Sequence, residues 1–426
     1  MMVMGIKIPR DEVDILCSFS DWLLIYGRRK TGKSFLIRNF LIFDEYYFVS
    51  RQGKVYELKD DKFASISYEV FLDRVQRGMQ ENKAIVVDEF HRLPADFQDL
   101  LHALKPRARG QIILVTSSLF FVERILGPRS PLLGIVIPIR IDIINPANII
   151  RELSRAISDP AMVLKLSIFA REPLLLSLIS PTSNFDDFLA KLAITLKDVV
   201  PALIGEVFIE EKREITERYE AIMKALAVGN NTPSSVASYI SGIIGGRLSS
   251  SDVKSYLRIL ERMGIVTRVR IYGKNRYLYK LSSPMIRLYY YLNEKLGYGE
   301  MDLSPQLIVR EIKKLIPIYY EELVVEFMAK ILNGTVEKTL KNEIDGIVTQ
   351  KKRAIAVLEV KMGGISPDEV LLFEEKVERL RIKVPKIIVA KNKPELDKGI
   401  VSLSPHELIV FAHEPSRLQR LILSRQ

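Results

Sequence analysis

Gly27-Arg28-Arg29-Lys30-Thr31-Gly32-Lys33-Ser34 satisfies the phosphate-loop pattern G-x-x-x-x-G-K-[S/T] at every fixed position. Its glycines let the backbone curl so that N–H groups point inward at phosphate oxygens, and a following helix N-terminus adds a favourable dipole. Lys33 has the reach for the β- and γ-phosphates, and the Ser34 hydroxyl can ligate Mg²⁺. Gly27, Arg29, Lys30, Thr31, Gly32, Lys33 and Ser34 are therefore the expected nucleotide-contacting set, with ATP and Mg²⁺ as ligands. Ala84-Ile85-Val86-Val87-Asp88-Glu89 is an apolar run ending in two carboxylates. The first, Asp88, is expected in the Mg²⁺ shell; Glu89 is placed to polarise an attacking water as general base. Gln111–Ser118 ends in hydroxyls, so Thr116 or Ser117 is expected beside the γ-phosphate.

Those groups need rigid supports. Trp22–Tyr26 reads as a buried strand entering the loop, and Phe35–Leu41 as an apolar helix leaving it. With Ala84–Glu89 and Gln111–Ser118 as further strands, the expected fold class is α/β, a P-loop core built on a parallel sheet.

The whole composition constrains the partners. The chain has 426 residues, 48% of them hydrophobic, enough for two to four domains. A single cysteine, Cys17, excludes an intramolecular disulfide and suggests a reducing compartment or indifference to redox. No signal peptide is apparent, and apolar runs such as Pro173–Ile179 are too short for a bilayer, so a cytoplasmic protein without a membrane partner is expected. The net charge is +11, a balance that favours polyanionic partners.

Much of that charge is local. Residues 247–280 hold nine basic side chains against Asp252 and Glu261. Ser249-Ser250-Ser251-Asp252 supplies an N-cap, and Val253, Tyr256, Leu257, Leu260 and Met263 carry helical spacing up to Gly264. Strands at Ile265–Ile271 and Arg276–Leu281 follow, joined through Tyr272-Gly273-Lys274-Asn275. Preceded by helices at Thr216–Val228 and Val236–Ile244, this is the element order of a winged helix. Arg258, Arg262, Arg268, Arg270 and Lys274 are its expected DNA contacts.

A second constellation lies near the C-terminus. Glu343–Val348 and Ala354–Lys361 read as a hairpin about Lys351-Lys352, which sets Asp345 opposite Glu359 and brings Lys361 to the same face. Two carboxylates and an ammonium suit Mg²⁺ or Mn²⁺ bridging a scissile phosphate, with Lys361 orienting the water. The helical segment Tyr319–Met328 offers a further carboxylate, Glu321 or Glu322. Asp345, Glu359 and Lys361 are the expected catalytic groups, and Asp345, Glu359 and Glu321 the expected metal ligands.

The phosphate loop, the Val87–Leu93 run and the Ser117-Ser118…Ser130-Pro131-Leu132-Leu133-Gly134 stretch together resemble the archaeal ATPase family, P-loop ATPases of the broad AAA+/STAND group. The resemblance covers roughly residues 10–215 and implies ATP hydrolysis and a winged-helix companion. The C-terminal part is similar to the PD-(D/E)xK nucleases, which implies that Asp345, Glu359 and Lys361 match that motif, with Glu321 as the helix carboxylate. Two positions depart from these patterns. Ile135 stands where relatives carry an arginine, so a γ-phosphate-sensing arginine would come from elsewhere, such as Arg129, Arg140 or a neighbouring subunit of a homo-oligomer. No proline precedes Asp345.

The expected domain map is a P-loop core over 1–145, a helical lid over 146–210, a winged helix over 211–298 and a nuclease-like α/β domain over 299–426. Two functions fit. One is an ATP-hydrolysing DNA-binding protein with a metal-dependent nuclease-like domain. The other is a nucleotide-controlled regulatory switch whose C-terminal domain is a non-catalytic binding module; a protein remodeller or loader is a third class.

Overall fold

The computed structural model describes residues 2–3, 6–128, 130–180, 184–211, 213–244, 248–341, 343–392 and 399–423. Arg129 and Arg247 lie outside them. A two-residue hairpin, β1 (Met2–Val3) and β2 (Ile6–Lys7), opens the chain and leads into α1 (Asp11–Cys17).

The first large sheet holds β3 (Leu23–Tyr26), β4 (Glu45–Val49), β5 (Val55–Lys59), β6 (Lys62–Ile66), β7 (Ala84–Asp88), β8 (Gln111–Thr116) and β9 (Ile137–Arg140). Its order is β6-β5-β4-β7-β8-β3-β9. Pairing is parallel from β4 to β9, and the β5–β6 edge is antiparallel. The central strands are buried on both faces, which is why they read as unbroken apolar runs. α2 (Lys33–Phe40), α3 (Tyr68–Gln80), α4 (Asp96–Leu104) and α5 (Leu119–Ile125) flank them, and two hydrophobic clusters fill the two faces.

The rest of the chain is built differently. α6 (Pro146–Leu153), α7 (Pro160–Ala170) and the 26-residue α8 (Phe185–Glu210) form the segment expected as a lid. Then come α9 (Glu217–Ala227), α10 (Pro233–Ile244) and α11 (Ser250–Arg262), the hairpin β10 (Val266–Ile271) and β11 (Tyr277–Leu281), and α12 (Pro284–Leu296). The long α13 (Pro305–Ile331) leads to β12 (Thr335–Lys338), β13 (Gly346–Gln350), β14 (Arg353–Val360), α14 (Pro367–Arg379), β15 (Lys386–Val389), β16 (Ile400–Leu403), α15 (Pro405–His413) and α16 (Pro415–Leu423).

The expected division between residues 298 and 299 cuts through one sheet. β10 pairs in parallel with β12, Arg270 opposite Glu337 and Ile271 opposite Lys338. The second sheet therefore runs β11-β10-β12-β13-β14-β15-β16 without a break. One hydrophobic cluster takes in Ile8 and runs from Ile144 through α6–α13 and one face of the second sheet to Ile422, and a smaller one under α14 fills the other face. Charge reinforces the join: the Lys280 ammonium on β11 donates to Glu322 and Glu326 of α13, each at 2.9 Å. Arg287 adds a 2.7 Å contact to Glu322, and Arg171 of the α7 end reaches Glu326 at 2.7 Å. Burial alone would raise both carboxyls, but Lys280 with Arg287 or Arg171 holds them well below the usual range.

A fragment of residues 211–298 strips Lys280 of both carboxylate partners and uncovers the inner edge of β10. It is expected to melt without a cooperative transition in circular dichroism, whereas a sigmoidal melt would show that the helix–hairpin unit is autonomous.

Candidate nucleotide site and the C-terminal charge cluster

The phosphate loop bridges β3 and α2. Gly27 has no room for a side chain, since a Cβ there would sit 2.0 Å from the Ile141 carbonyl oxygen. Arg10 braces the loop from outside, donating to the Thr31 carbonyl at 2.9 Å and the Asp142 carbonyl at 2.6 Å. The Lys33 ammonium donates to the carbonyls of Gly27 (2.8 Å) and Arg28 (3.1 Å). Burial pushes it down to about 8, against the opposing pull of Glu89 and Asp88. Lys30 adopts a positive φ of 64° within the loop, and Thr31 ties back to the Arg28 carbonyl at 2.9 Å.

Asp88 ends β7 as expected. It is buried, accepts the Tyr46 hydroxyl at 2.5 Å and hydrogen-bonds the Ser34 hydroxyl. Burial and then Glu89 raise its carboxyl, a strain that a divalent cation would relieve. A hydroxyl beside such a carboxylate is a hard oxygen pair, so Ser34 and Asp88 fit Mg²⁺.

Glu89 occupies a left-handed turn (φ 58°), costly for a residue with a Cβ and a usual mark of a functional position. Ser117 holds it, donating its hydroxyl at 2.9 Å and its backbone N–H at 3.3 Å. His91 and Arg92 stand 3.4 and 3.9 Å away. Burial would raise Glu89, yet His91, Arg92 and Lys33 bring it below the usual value, so it is ionised as a base must be. Thr116 is engaged with His91 Nδ1 at 2.9 Å. Of the two hydroxyls, Ser117 is the one that positions Glu89.

Helix α8 contributes what sequence reasoning missed. Glu206 and Glu210, one turn apart, both pair with Arg29 of the loop. Glu210 also lies 3.4 Å from Arg92, and Glu206 binds Arg51 at 2.8 Å. Glu211, the residue capping α8, accepts the N–H groups of Leu119 and Phe120 at the start of α5, both at 2.8 Å. Arg28 is buried against Glu172 at 2.9 Å. The i, i+4 spacing of Glu206 and Glu210 was visible in the sequence, but nothing local named their partners.

The expected DNA contacts divide between two places. Arg258, Arg262 and Arg268 line a cleft of about 460 Å³ facing the first sheet, together with Tyr26, Glu123 and Arg140. Arg262 pairs with Glu123 at 3.2 Å, and Arg268 pairs with Glu261 at 3.0 Å while lying over the Tyr277 ring. Gly264 (φ 70°) ends α11 so close to the loop that a Cβ would stand 3.5 Å from Arg28 Cβ. Arg270 and Lys274 are at the far end of the hairpin, where Arg270 Nε donates to the Lys274 carbonyl at 3.3 Å. Arg140, one candidate sensing arginine, donates to Asp142 at 3.0 Å.

In the C-terminal cluster the hairpin register is as expected, Gly346 pairing with Leu358, so Asp345 follows on beside Glu359. One oxygen of Asp345 accepts the Val360 N–H (2.7 Å), and Glu359 Oε1 pairs with Lys361 (3.1 Å). Glu321, not Glu322, faces them. Burial and the Asp345 charge push Glu321 up to about 7, and burial with Asp345 also raises Glu359. Among the described residues no three His, Cys, Asp or Glu side chains are grouped so as to hold a metal ion. Asp345 and Glu359 each have one protein partner, Glu359 Oε2 is buried without one, and Glu321 lies close enough to feel the charge of both.

Comparison with known proteins bears on the first site. Residues 20–131 match the model of a family described as AAA domain. This segment is an AAA-type ATPase domain. Curated proteins gave no significant match. Among solved structures, similar ones include the ORC2 protein of Aeropyrum pernix in ADPNP-ADP complexes, 14% identical over 73% of this chain and 94% of that one, with a TM-score of 0.37. Others are the RuvB Holliday junction branch migration motor of Thermotoga maritima (14%; 62% and 90%; 0.31) and a signal transduction ATPase with numerous domains from Pyrococcus horikoshii (15%; 75% and 47%; 0.31). At such TM-scores these likenesses carry no weight for function. No helix among the described residues is long and apolar enough to cross a membrane.

Burial pushes the Glu211 carboxyl up to about 7, although the two N–H groups act to lower it. The folded protein then holds this proton more tightly than the unfolded chain. The associated stability is complete below about 4.5 and is lost as pH rises through about 7. Glu211→Gln cannot ionise and is expected to flatten the fall of melting temperature across that window; parallel curves for variant and wild type would contradict the assignment.

Proposed function

We propose that the AAA-type domain hydrolyses ATP to control how the rest of the chain meets DNA. The observation that carries the ATP part is Glu89, strained, ionised, held by Ser117 and close enough to Lys33 and Asp88 for their charges to act on one another. Gly27, Arg29, Lys30, Thr31, Gly32 and Lys33 would bind the phosphates, Ser34 and Asp88 would hold Mg²⁺, and Glu89 would take the proton of the attacking water. Bound there, Mg²⁺ supplies charge neutralisation at the β- and γ-phosphate oxygens. Glu89→Gln should keep ATP affinity within a few-fold while turnover falls at least ~100-fold, because only proton removal is lost. Unchanged turnover would remove Glu89 from the role.

The DNA part rests on residues 211–298, which we read as a winged helix from three helices followed by a hairpin. Its basic run supports the reading: Arg258, Arg262, Lys274 and Arg276 are exposed, and the charge far exceeds what Asp252 and Glu261 neutralise. Neutralising Arg258, Arg262, Arg268, Arg270 and Lys274 together should weaken DNA binding and flatten its salt dependence. Each lost phosphate contact lowers the log–log slope by about one. An unchanged slope would place the DNA elsewhere.

For the C-terminal sheet the binding-module reading is favoured over cleavage, because Asp345 and Glu359 are engaged by Val360 and Lys361. DNA incubated with Mg²⁺ or Mn²⁺ should remain intact. Cleavage lost in both Asp345→Ala and Glu359→Ala would restore the nuclease reading.

A further inference from the structure

A guanidinium beside the γ-phosphate would assist hydrolysis by carrying the charge that develops there. Arg92 is in position to do so. It ends the single 3₁₀ turn Phe90–Arg92 that follows Glu89, and its side chain is 11% exposed. One terminal nitrogen donates to the Val49 carbonyl at 2.9 Å, which fixes the guanidinium over the end of β4. The other faces two carboxylates, Glu210 at 3.4 Å and Glu89 at 3.9 Å. Arg29 reaches the same Glu210 from the phosphate loop. Lys33 feels the charge of both Glu89 and Glu210. Two guanidinium groups therefore converge on one anion beside the lysine that reads the β- and γ-phosphates, and that anion comes from the end of α8.

We propose that Arg92 and Arg29 are the in-cis cations that stabilise the γ-phosphate during hydrolysis, and that Glu210 is an internal anion that competes with the γ-phosphate for them. This rests on the ATPase reading above. In the reaction the water oxygen forms a bond to the γ-phosphorus while the bond to the β,γ-bridging oxygen breaks. The water proton passes to Glu89, ADP leaves with the electron pair, and the two guanidinium groups carry the charge on the γ-phosphoryl and leaving oxygens. A γ-phosphate oxygen presents the same acceptor geometry to a planar guanidinium as a carboxylate does, so it can replace Glu210 without moving either arginine far. Once displaced, Glu210 no longer ties α8 to Arg92 and Arg29, leaving Glu206 and Glu211 as its remaining contacts, so the end of α8 can shift and report the γ-phosphate to the second sheet.

The test uses the full chain and compares ATP with ADP. Glu210→Gln should tighten ATP roughly tenfold and leave ADP within about twofold, since only the γ-phosphate competes with the carboxylate. An equal change for both nucleotides would make Glu210 a structural clamp and overturn the proposal. Arg92→Ala should lower kcat roughly 10²–10³-fold with ATP affinity nearly kept, and Arg92→Lys should recover little, because a point charge cannot reproduce the fork. Wild-type kcat in Arg92→Ala would overturn the proposal. So would recovery of turnover on mixing Arg92→Ala with Lys33→Ala protein, which would mean that the arginine acts across a subunit boundary. Melting temperatures of the variants separate misfolding from lost chemistry. The ATP/ADP comparison needs only binding, so it stands whether or not Glu89 proves to be the base.

Discussion

Helix α8 ends in glutamates, Glu206 and Glu210 in its last turns with Glu211 at the cap, and no basic residue stands in its last turn. The C-terminus of a helix is already the negative end of its dipole, so this arrangement is unfavourable on its own. It is sustained by cations and N–H groups of the ATPase domain: Arg29, Arg51 and Arg92 for the first two, and the positive start of α5 for Glu211. The helix end is thus stable only while docked on the phosphate loop, on the residues beside Glu89 and on the segment that follows Ser117. Under the proposed function, the loop and the residues beside Glu89 are the parts that a bound triphosphate would address.

The character of this junction contrasts with what lies on either side. The first sheet has its own hydrophobic filling on both faces; Ile8 and much of residues 144–422 share another, and the α14 side of the second sheet has a smaller one. Between them the named contacts are largely charged or polar: Arg28 with Glu172, the α8 glutamates, Arg262 with Glu123, and Lys330 with Asp11 at 2.9 Å. Apolar packing resists sliding because it loses area continuously, whereas ion pairs can be exchanged for other ion pairs when an anion such as a phosphate arrives. The joint is therefore suited to rearrangement, and the body beyond it is not. The β10–β12 pairing and the Lys280–Glu322–Glu326 network bind the helix–hairpin unit to the C-terminal sheet.

Much of the ATPase site was legible in the sequence because its chemistry is local. The loop fixes its own backbone through short-range glycines, and an apolar strand that stops at Asp88-Glu89 announces both its burial and its acidic end. The opposition of Asp345 and Glu359 was legible for the same reason, since a short turn at Lys351-Lys352 sets the hairpin register. What was not legible depends on distant pairings. Nothing in the neighbourhood of Glu210 names Arg29, 181 positions away. The parallel pairing of β10 with β12 joins segments between which two helices intervene, so composition suggested a linker where the structure has a continuous sheet. Around Glu321 the three carboxyl groups are neighbours, and Val360 and Lys361 each engage one oxygen of the pair Asp345 and Glu359, contacts that no local pattern announces.

The central claim is that the γ-phosphate works on the charged joint and that everything beyond the joint moves as one piece. Distance measurements between paired spin labels test it most directly, using the single exposed Cys17 on the ATPase domain and an introduced cysteine at Ser251. A second pair, Ser251→Cys with Glu375→Cys in a Cys17→Ser background, spans the helix–hairpin unit and the C-terminal sheet. Glu89→Gln carries both pairs so that ATP persists. The account predicts that ATP but not ADP shifts the first distance, while the second stays fixed under all conditions. A fixed first distance, or an ATP-dependent change in the second, would contradict it.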